Sequence, residues 1–470
     1  MLFNSFVFLV FACLFFLGWF LLRGKQKLRW IFLIAASLFF YGWWDWRYIF
    51  LLLYTGFIDF SAGIAMERYP SRKRLLLALS IFGNVGSLAI FKYLGFATVS
   101  ANFMLRTLGV EHQLPVYNLL LPVGISFYTF ESLSYTIDVY KDRVKPTHDI
   151  LHFFSFLALF PHLVAGPIIR PYDLLPQIAA NKRPTEQQKW DGLSLIARGF
   201  FKKMVIADNL AAIVNSAFSA AVPQYSAPFW WVIVTMFAFQ IYCDFSGYTD
   251  IARGLAKWIG YEFPLNFNHP YIADSIRDFW SRWHISLSTW FRDYVYIPLG
   301  GSKKGNLRSH VNMWITMVVS GLWHGAAWHF VIWGALHAFY LTLERITLWP
   351  KRVSGIFAGR LVGSVILITM VWVAWVFFRA TTAGQAAHIV SIMFSPRALD
   401  WSPVVQMDRM PMLAMCVAAL RESYLWLRLD GVQIWQNRYV RAFEPVMISL
   451  VFVASIFWRG PGAAFIYFQF

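Results

Sequence analysis

The stretch Asn312-Met-Trp-Ile-Thr-Met-Val-Val-Ser-Gly-Leu-Trp-His324-Gly-Ala-Ala-Trp-His329-Phe-Val-Ile-Trp-Gly-Ala-Leu-His337 sets the class of this chain. It is long and apolar enough to cross a bilayer, yet it holds His324, His329 and His337 and no Lys, Arg, Asp or Glu. An ionisable group at membrane depth is expensive to keep, and so marks a candidate functional site. Histidine exchanges protons near neutral pH, as a general base acting on a hydroxyl must. The reading is of chemistry carried out inside a membrane.

Working outward, the whole 470-residue chain is 58% hydrophobic and 14% charged. A globular domain carries roughly 25% charged residues. Apolar runs near the ~20 residues needed to span hydrocarbon recur throughout. They cover Phe3–Leu22, Trp30–Tyr41, Tyr48–Met66, Leu75–Phe91, Tyr117–Tyr140, Ile150–Ile169, Gly192–Phe218, Pro228–Leu255, Val311–Leu343, Leu361–Phe378 and Val446–Trp458, with Met407–Leu427 weaker. The expected fold is an all-α, polytopic bundle of about 11–12 transmembrane helices plus re-entrant or interfacial ones, built as one integral domain over residues 1–470. Leu2–Leu22 lacks a basic leader and a small-residue cleavage site, and reads as a retained signal-anchor.

The net charge of +17 does not point to nucleic acid. The basic residues form short clusters between apolar runs, at Arg23/Lys25/Lys27/Arg29, Arg68/Arg72/Lys73/Arg74, Lys141/Arg143/Lys145 and Lys303/Lys304/Arg308. That is the pattern of cytoplasmic loops. It places the N-terminus outside and, for an even number of crossings, the C-terminus with it. Cys13, Cys243 and Cys416 lie far apart without a CxxC, so they define neither a disulfide framework nor a metal site.

Four groups of residues can carry chemistry. The first is Trp323-His324-Gly325, read as a general base, with a core histidine bonded to a backbone carbonyl as the alternative. His329 at i+5 and His337 at i+13 do not share its face, which argues against a three-histidine metal site. The second is Asp278 to Asp293, where Asp274–Trp290 reads as one amphipathic helix with Asp278→Arg282 at i,i+4 and a stripe of Arg277, Ser281, His284 and Ser288. Its arginines suit either an anionic cofactor or lipid phosphates. The third is Asp244-Phe-Ser-Gly-Tyr-Thr-Asp250, whose carboxylates polarise a histidine, line a proton path or pair with an arginine. The fourth is the tail Phe465-Ile-Tyr467-Phe-Gln-Phe470, read as an interfacial aromatic belt or, through the phenol, as a nucleophile. A phenol has a pKa of about 10, far below an aliphatic alcohol, so a neutral histidine deprotonates it more readily.

At these motifs the chain resembles the membrane-bound O-acyltransferase (MBOAT) family, and within it the alginate O-acetylation protein I branch related to the teichoic-acid D-alanylation protein DltB. The resemblance runs over Leu121-Pro-Val-Gly-Ile-Ser-Phe-Tyr, Phe160-Pro-His162-Leu-Val-Ala-Gly-Pro167, Asp244–Asp250, Asn266-Phe-Asn-His-Pro-Tyr271, Phe279–Trp290 and Gly321-Leu-Trp-His324-Gly. It implies a helical bundle with a tunnel in which a cytosolic donor meets an external acceptor. It implies that His324 is the essential histidine and His284 the second motif position. It further implies acetyl-CoA as co-substrate with no bound cofactor, and an SGNH-type periplasmic acetyltransferase as partner. The final acceptor is an exported polysaccharide such as alginate, with peptidoglycan or cellulose as alternatives, and the location is the bacterial inner membrane. The tail fits an F-x-Y-x-x-F pattern in which the tyrosine carries the acyl group. Trp323, Asn312 and Asp244 are expected to orient the histidine or the thioester, and Arg282 to meet the donor. A transporter without chemistry is the reading from a different class.

Overall fold

A computed structural model describes residues 1–117, 119–221, 223–427 and 443–466. Helices dominate, and no strand occurs among the described residues. Among the described residues, four helices are long and apolar enough to cross a membrane: Trp46–Arg68, Pro70–Thr107, Ala227–Ile259 and Gly359–Arg379. Phe6–Leu21 and Glu444–Phe457 are shorter apolar helices. The protein is an all-α, multi-pass membrane protein, as its composition requires: in hydrocarbon every backbone N–H and C=O must be bonded within the chain, and a helix does this locally.

The chain forms two compact units. The first comprises residues 1–193 and 252–264. Its helices Ile49–Arg68, Lys73–Leu88 and Ile125–Tyr140 pack together, and Phe8, Phe11, Phe15, Phe40 and Phe160 fill a core with rings 4.9–6.1 Å apart. Its buried carboxylates are engaged. Asn84 donates to both oxygens of Asp59 at 3.0 Å, and the Ser80 hydroxyl donates to the same group. Glu131 lies 2.9 Å from His162 and accepts the Ile169 N–H at 3.1 Å.

The second unit comprises residues 194–251 and 265–470. Its centre is a hairpin of the helices Asn306–His324 and Trp328–Thr347. The run Val311–Leu343 is therefore two helices rather than one span. Gly325 is extended, with φ −161° and ψ 148°, and a Cβ there would lie 2.0 Å from the Phe330 ring. The hairpin arms touch backbone to backbone, since a Cβ on Gly321 would lie 2.3 Å from the Phe330 carbonyl oxygen and one on Gly334 2.4 Å from that of Met317. Small residues allow such close approach where lipid gives no hydrophobic drive to association.

Other expected elements also break. The helix within Tyr117–Tyr140 begins only at Ile125, after Gly124 turns left-handed at φ 78°. The run Ile150–Ile169 stops at Leu157 and restarts as the short turn Phe160–Leu163. The amphipathic helix expected over Asp274–Trp290 divides into Ile276–Arg282 and Ile285–Phe291, with His284 between them.

Candidate active site

His284 sits at the break in left-handed backbone, φ 42° and ψ 55°, where a non-glycine residue costs about 1–3 kcal/mol. It is fully buried, so it does not share an exposed stripe with Arg277, Ser281 and Ser288. Asn266 explains the arrangement. Its Oδ1 accepts from the Ser286 backbone N–H at 3.1 Å and the Ser286 hydroxyl at 2.9 Å, and lies 3.2 Å from His284 Nδ1. Its backbone carbonyl accepts the Ile285 N–H at 2.9 Å. An amide oxygen can only accept, so His284 donates from Nδ1 and Nε2 is left as the basic nitrogen. Asn266 fixes both the tautomer and the aim of His284.

His324 closes the first arm of the hairpin and is 4% exposed. Its ring meets Trp323 at 5.0 Å, Trp333 at 5.0 Å and Phe378 at 5.2 Å, each near perpendicular. Trp323 stands between the two histidines, 6.1 Å from His284 by ring centroids. His324 is the last residue of its helix, directly before the extended Gly325. The other two histidines have separate settings. His329 Nδ1 donates to the Phe377 carbonyl at 3.0 Å, whereas His337 is fully buried between Trp280 and Trp333 at 5.0 and 4.8 Å.

A cavity of about 200 Å³ opens beside the hairpin, lined in part by Ser288, Arg292, Tyr296, Thr316, Ser320 and Arg345. Ser320 is one turn before His324 and shares its helix face. The cavity is several waters in size, mostly apolar inside, with two arginines among its lining. Neither arginine was singled out by the sequence reading, because an Arg near a helix end is indistinguishable from a snorkelling lipid contact.

The remaining candidates lie elsewhere. Asn312 is buried and donates to the Gly301 carbonyl at 3.0 Å, about 18 Å down the helix axis from His324. It does not orient that ring. Arg282 is held by both Asp278 oxygens at 2.9 Å and reaches the Asn268 carbonyl at 3.3 Å. It is absent from the cavity lining. Asp244 contacts neither histidine; its partner is a lysine rather than an arginine, Lys203, at 2.9 Å. Lys203 also lies 2.8 Å from Asp208, while Lys202 meets Asp250 at 2.7 Å. Tyr467 lies outside the described residues. The segment leading to it does not: Phe465 and Ile466 are each 1% exposed. The Phe465 ring packs on Phe245 at 5.8 Å, and Phe245 stands perpendicular to His284 at 4.6 Å. A continuous row of rings thus runs Phe465, Phe245, His284, Trp323, His324.

Comparison with known proteins places the chain in a family. The chain is 37% identical, over the whole length of both, to a probable alginate O-acetylase AlgI of Pseudomonas putida. It is 34% identical to a peptidoglycan O-acetyltransferase of Helicobacter pylori, covering 84% of this chain and 80% of that one. A teichoic acid D-alanyltransferase of Bacillus subtilis is 31% identical across 51% of this chain and 62% of its own. Residues 124–381, which include both the hairpin and His284, match the profile of the membrane-bound O-acyltransferase family. This protein is an acyltransferase of the membrane, and it belongs to the MBOAT, membrane-bound O-acyltransferase family.

Proposed function

We propose that this protein takes acetyl groups from cytoplasmic acetyl-CoA and passes them across the inner membrane for O-acetylation of an exported polysaccharide, with alginate favoured. The relative named for alginate is more similar and covers more of the chain than the one named for peptidoglycan. The single observation that carries the mechanism is the packing of Phe465 against Phe245, which brings the segment preceding Tyr467 into the same core as His284.

Acetyl-CoA is the co-substrate, and its thioester arm enters the cavity flanked by Arg292 and Arg345, whose charge suits the donor's phosphates. The imidazole of His324 takes the proton of the Tyr467 phenol as that oxygen attacks the thioester carbonyl. The C–S bond breaks, the C–O bond of an acetyl-tyrosine forms, and the proton moves to the departing CoA thiolate. His284, with Nδ1 fixed by Asn266, presents a basic nitrogen on the other side of Trp323. A serine of an SGNH-type periplasmic partner then accepts the acetyl group and the phenol is regenerated. An aryl ester keeps enough of the thioester's reactivity for this second transfer.

Radiolabelled acetyl-CoA supplied to the purified protein in nanodiscs tests the scheme. Peptide mass spectrometry should find acetyl on Tyr467, absent from Tyr467→Phe and reduced by about 10²-fold or more in His324→Gln. Normal labelling in His324→Gln removes the general base. An unmodified Tyr467 in the turning-over parent removes the carrier.

A further inference from the structure

The helix leading to Lys203 does not run evenly. Glu186–Phe200 passes into a π-helical turn at Phe201–Ala207 before Asp208–Ser219 resumes. A π turn releases backbone groups from the regular ladder, and such turns gather at functional positions. Here the released groups are used. The Met204 carbonyl accepts the Gly460 N–H at 2.8 Å, and Asn209 links the Val205 and Trp458 carbonyls at 2.8 and 3.0 Å. Gly460 is pressed so close that a Cβ would lie 2.5 Å from the backbone of Asp208 and Asn209. Lys203 donates to the Ala463 carbonyl at 3.0 Å, and Asp244 accepts the Ile466 N–H at 2.8 Å.

Close packing of two helices sets up this cradle. A Cβ on Gly199 would lie 2.6 Å from the Gly247 carbonyl oxygen, and one on Gly247 2.8 Å from that of Gly199. The glycines let the helices cross at backbone contact, which puts Lys203 between Asp208 and Asp244. The three side chains are nearly excluded from solvent, and a buried ion cluster is poor value for stability alone. All three members spend hydrogen bonds on the C-terminal backbone, Lys203 and Asp208 at Ala463 and Asp244 at Ile466.

We propose that Lys203 and Asp244 are positioning residues, a clamp that docks the segment Trp458–Ile466 and thereby presents Tyr467 to the histidine pair. The clamp rests on the carrier reading given above. The last anchored amide belongs to Ile466, the residue before Tyr467 in the sequence. Anchoring the chain up to that residue reduces the entropy lost on reaching the thioester.

Two full-length variants in nanodiscs test this. Asp244→Leu removes the acceptor for Ile466 while leaving Lys203 paired with Asp208. Gly460→Ala wedges a methyl against the π turn without touching any buried charge. In both, hydrogen exchange of a peptide covering 458–466 should rise about 10-fold or more, and acetylation of Tyr467 should slow about 10- to 100-fold. The KM for acetyl-CoA should stay at the parental value, and Asp244→Asn, which keeps an oxygen acceptor, should recover most of the rate. Parental exchange in both variants overturns the clamp, as does a loosened tail with an unchanged acetylation rate. A failed carrier reading shows differently: Tyr467 is unmodified in the parent while Gly460→Ala still raises tail exchange, a pattern that removes the presenting role.

Discussion

Asn266 shows how much one side chain decides. A single amide oxygen holds His284 and both donors of Ser286, in a place where the backbone itself is strained. Removing it takes away three buried hydrogen bonds, each contributing about 0.5–1.5 kcal/mol. Asn266→Ala is therefore expected to lower the melting temperature in a fluorescence-detected thermal scan and to slow acetyl transfer, since the tautomer of His284 is no longer imposed. Asn266→Asp keeps an oxygen and should retain the fold better than the alanine. Trp323 and His324 were legible from sequence, because an imidazole in an uncharged apolar run has few bland explanations. Asn266 was quoted only as part of a motif, and nothing local says that its partner lies 18 residues on.

At the scale of elements, the hairpin Asn306–His324 and Trp328–Thr347 depends on glycine at the crossing. Gly321→Val places branched carbons where even a Cβ sits 2.3 Å from a carbonyl oxygen. The arms must separate, and over-packing of this kind typically costs about 1–3 kcal/mol. A lower unfolding temperature, with loss of His324-dependent transfer, is the expected result; parental stability would show that the arms do not need contact. The adjacent cavity gives a separable prediction. Arg345→Ala should raise the KM for acetyl-CoA about 10-fold with kcat nearly unchanged, the pattern of an interaction made equally in ground and transition states. A fall in kcat alone would place Arg345 nearer the reacting atoms. Periodicity located the apolar runs here but not their breaks: Gly325-Ala-Ala327 is as apolar as the helices it divides, and at His284 the chain turns left-handed at a residue that adopts that conformation only occasionally.

For the whole molecule, the transfer scheme needs donor and acceptor in different compartments. The basic clusters between apolar runs lead us to expect the N-terminus, and with an even crossing number the C-terminus, on the periplasmic face. Alkaline phosphatase fused after Phe470 should then be active in cells and a fluorescent-protein fusion dark. The opposite pair of results requires the tail to meet its acceptor in the cytoplasm and ends the cross-membrane scheme.

Composition alone made this a helical membrane protein, because hydrocarbon tolerates only internally bonded backbone; the cost of an imidazole there marked His324, His329 and His337 alike, and the resemblance at Gly321-Leu-Trp-His324-Gly pointed to His324. Tertiary structure alone decided what that histidine is near. Lys203 is 41 residues from Asp244 and 260 from Ala463 along the chain, and no periodicity links such positions. Local patterns report which faces avoid water, whereas a clamp, a tautomer or a row of rings arises only where distant segments cross, and those crossings are set by packing that no single segment encodes.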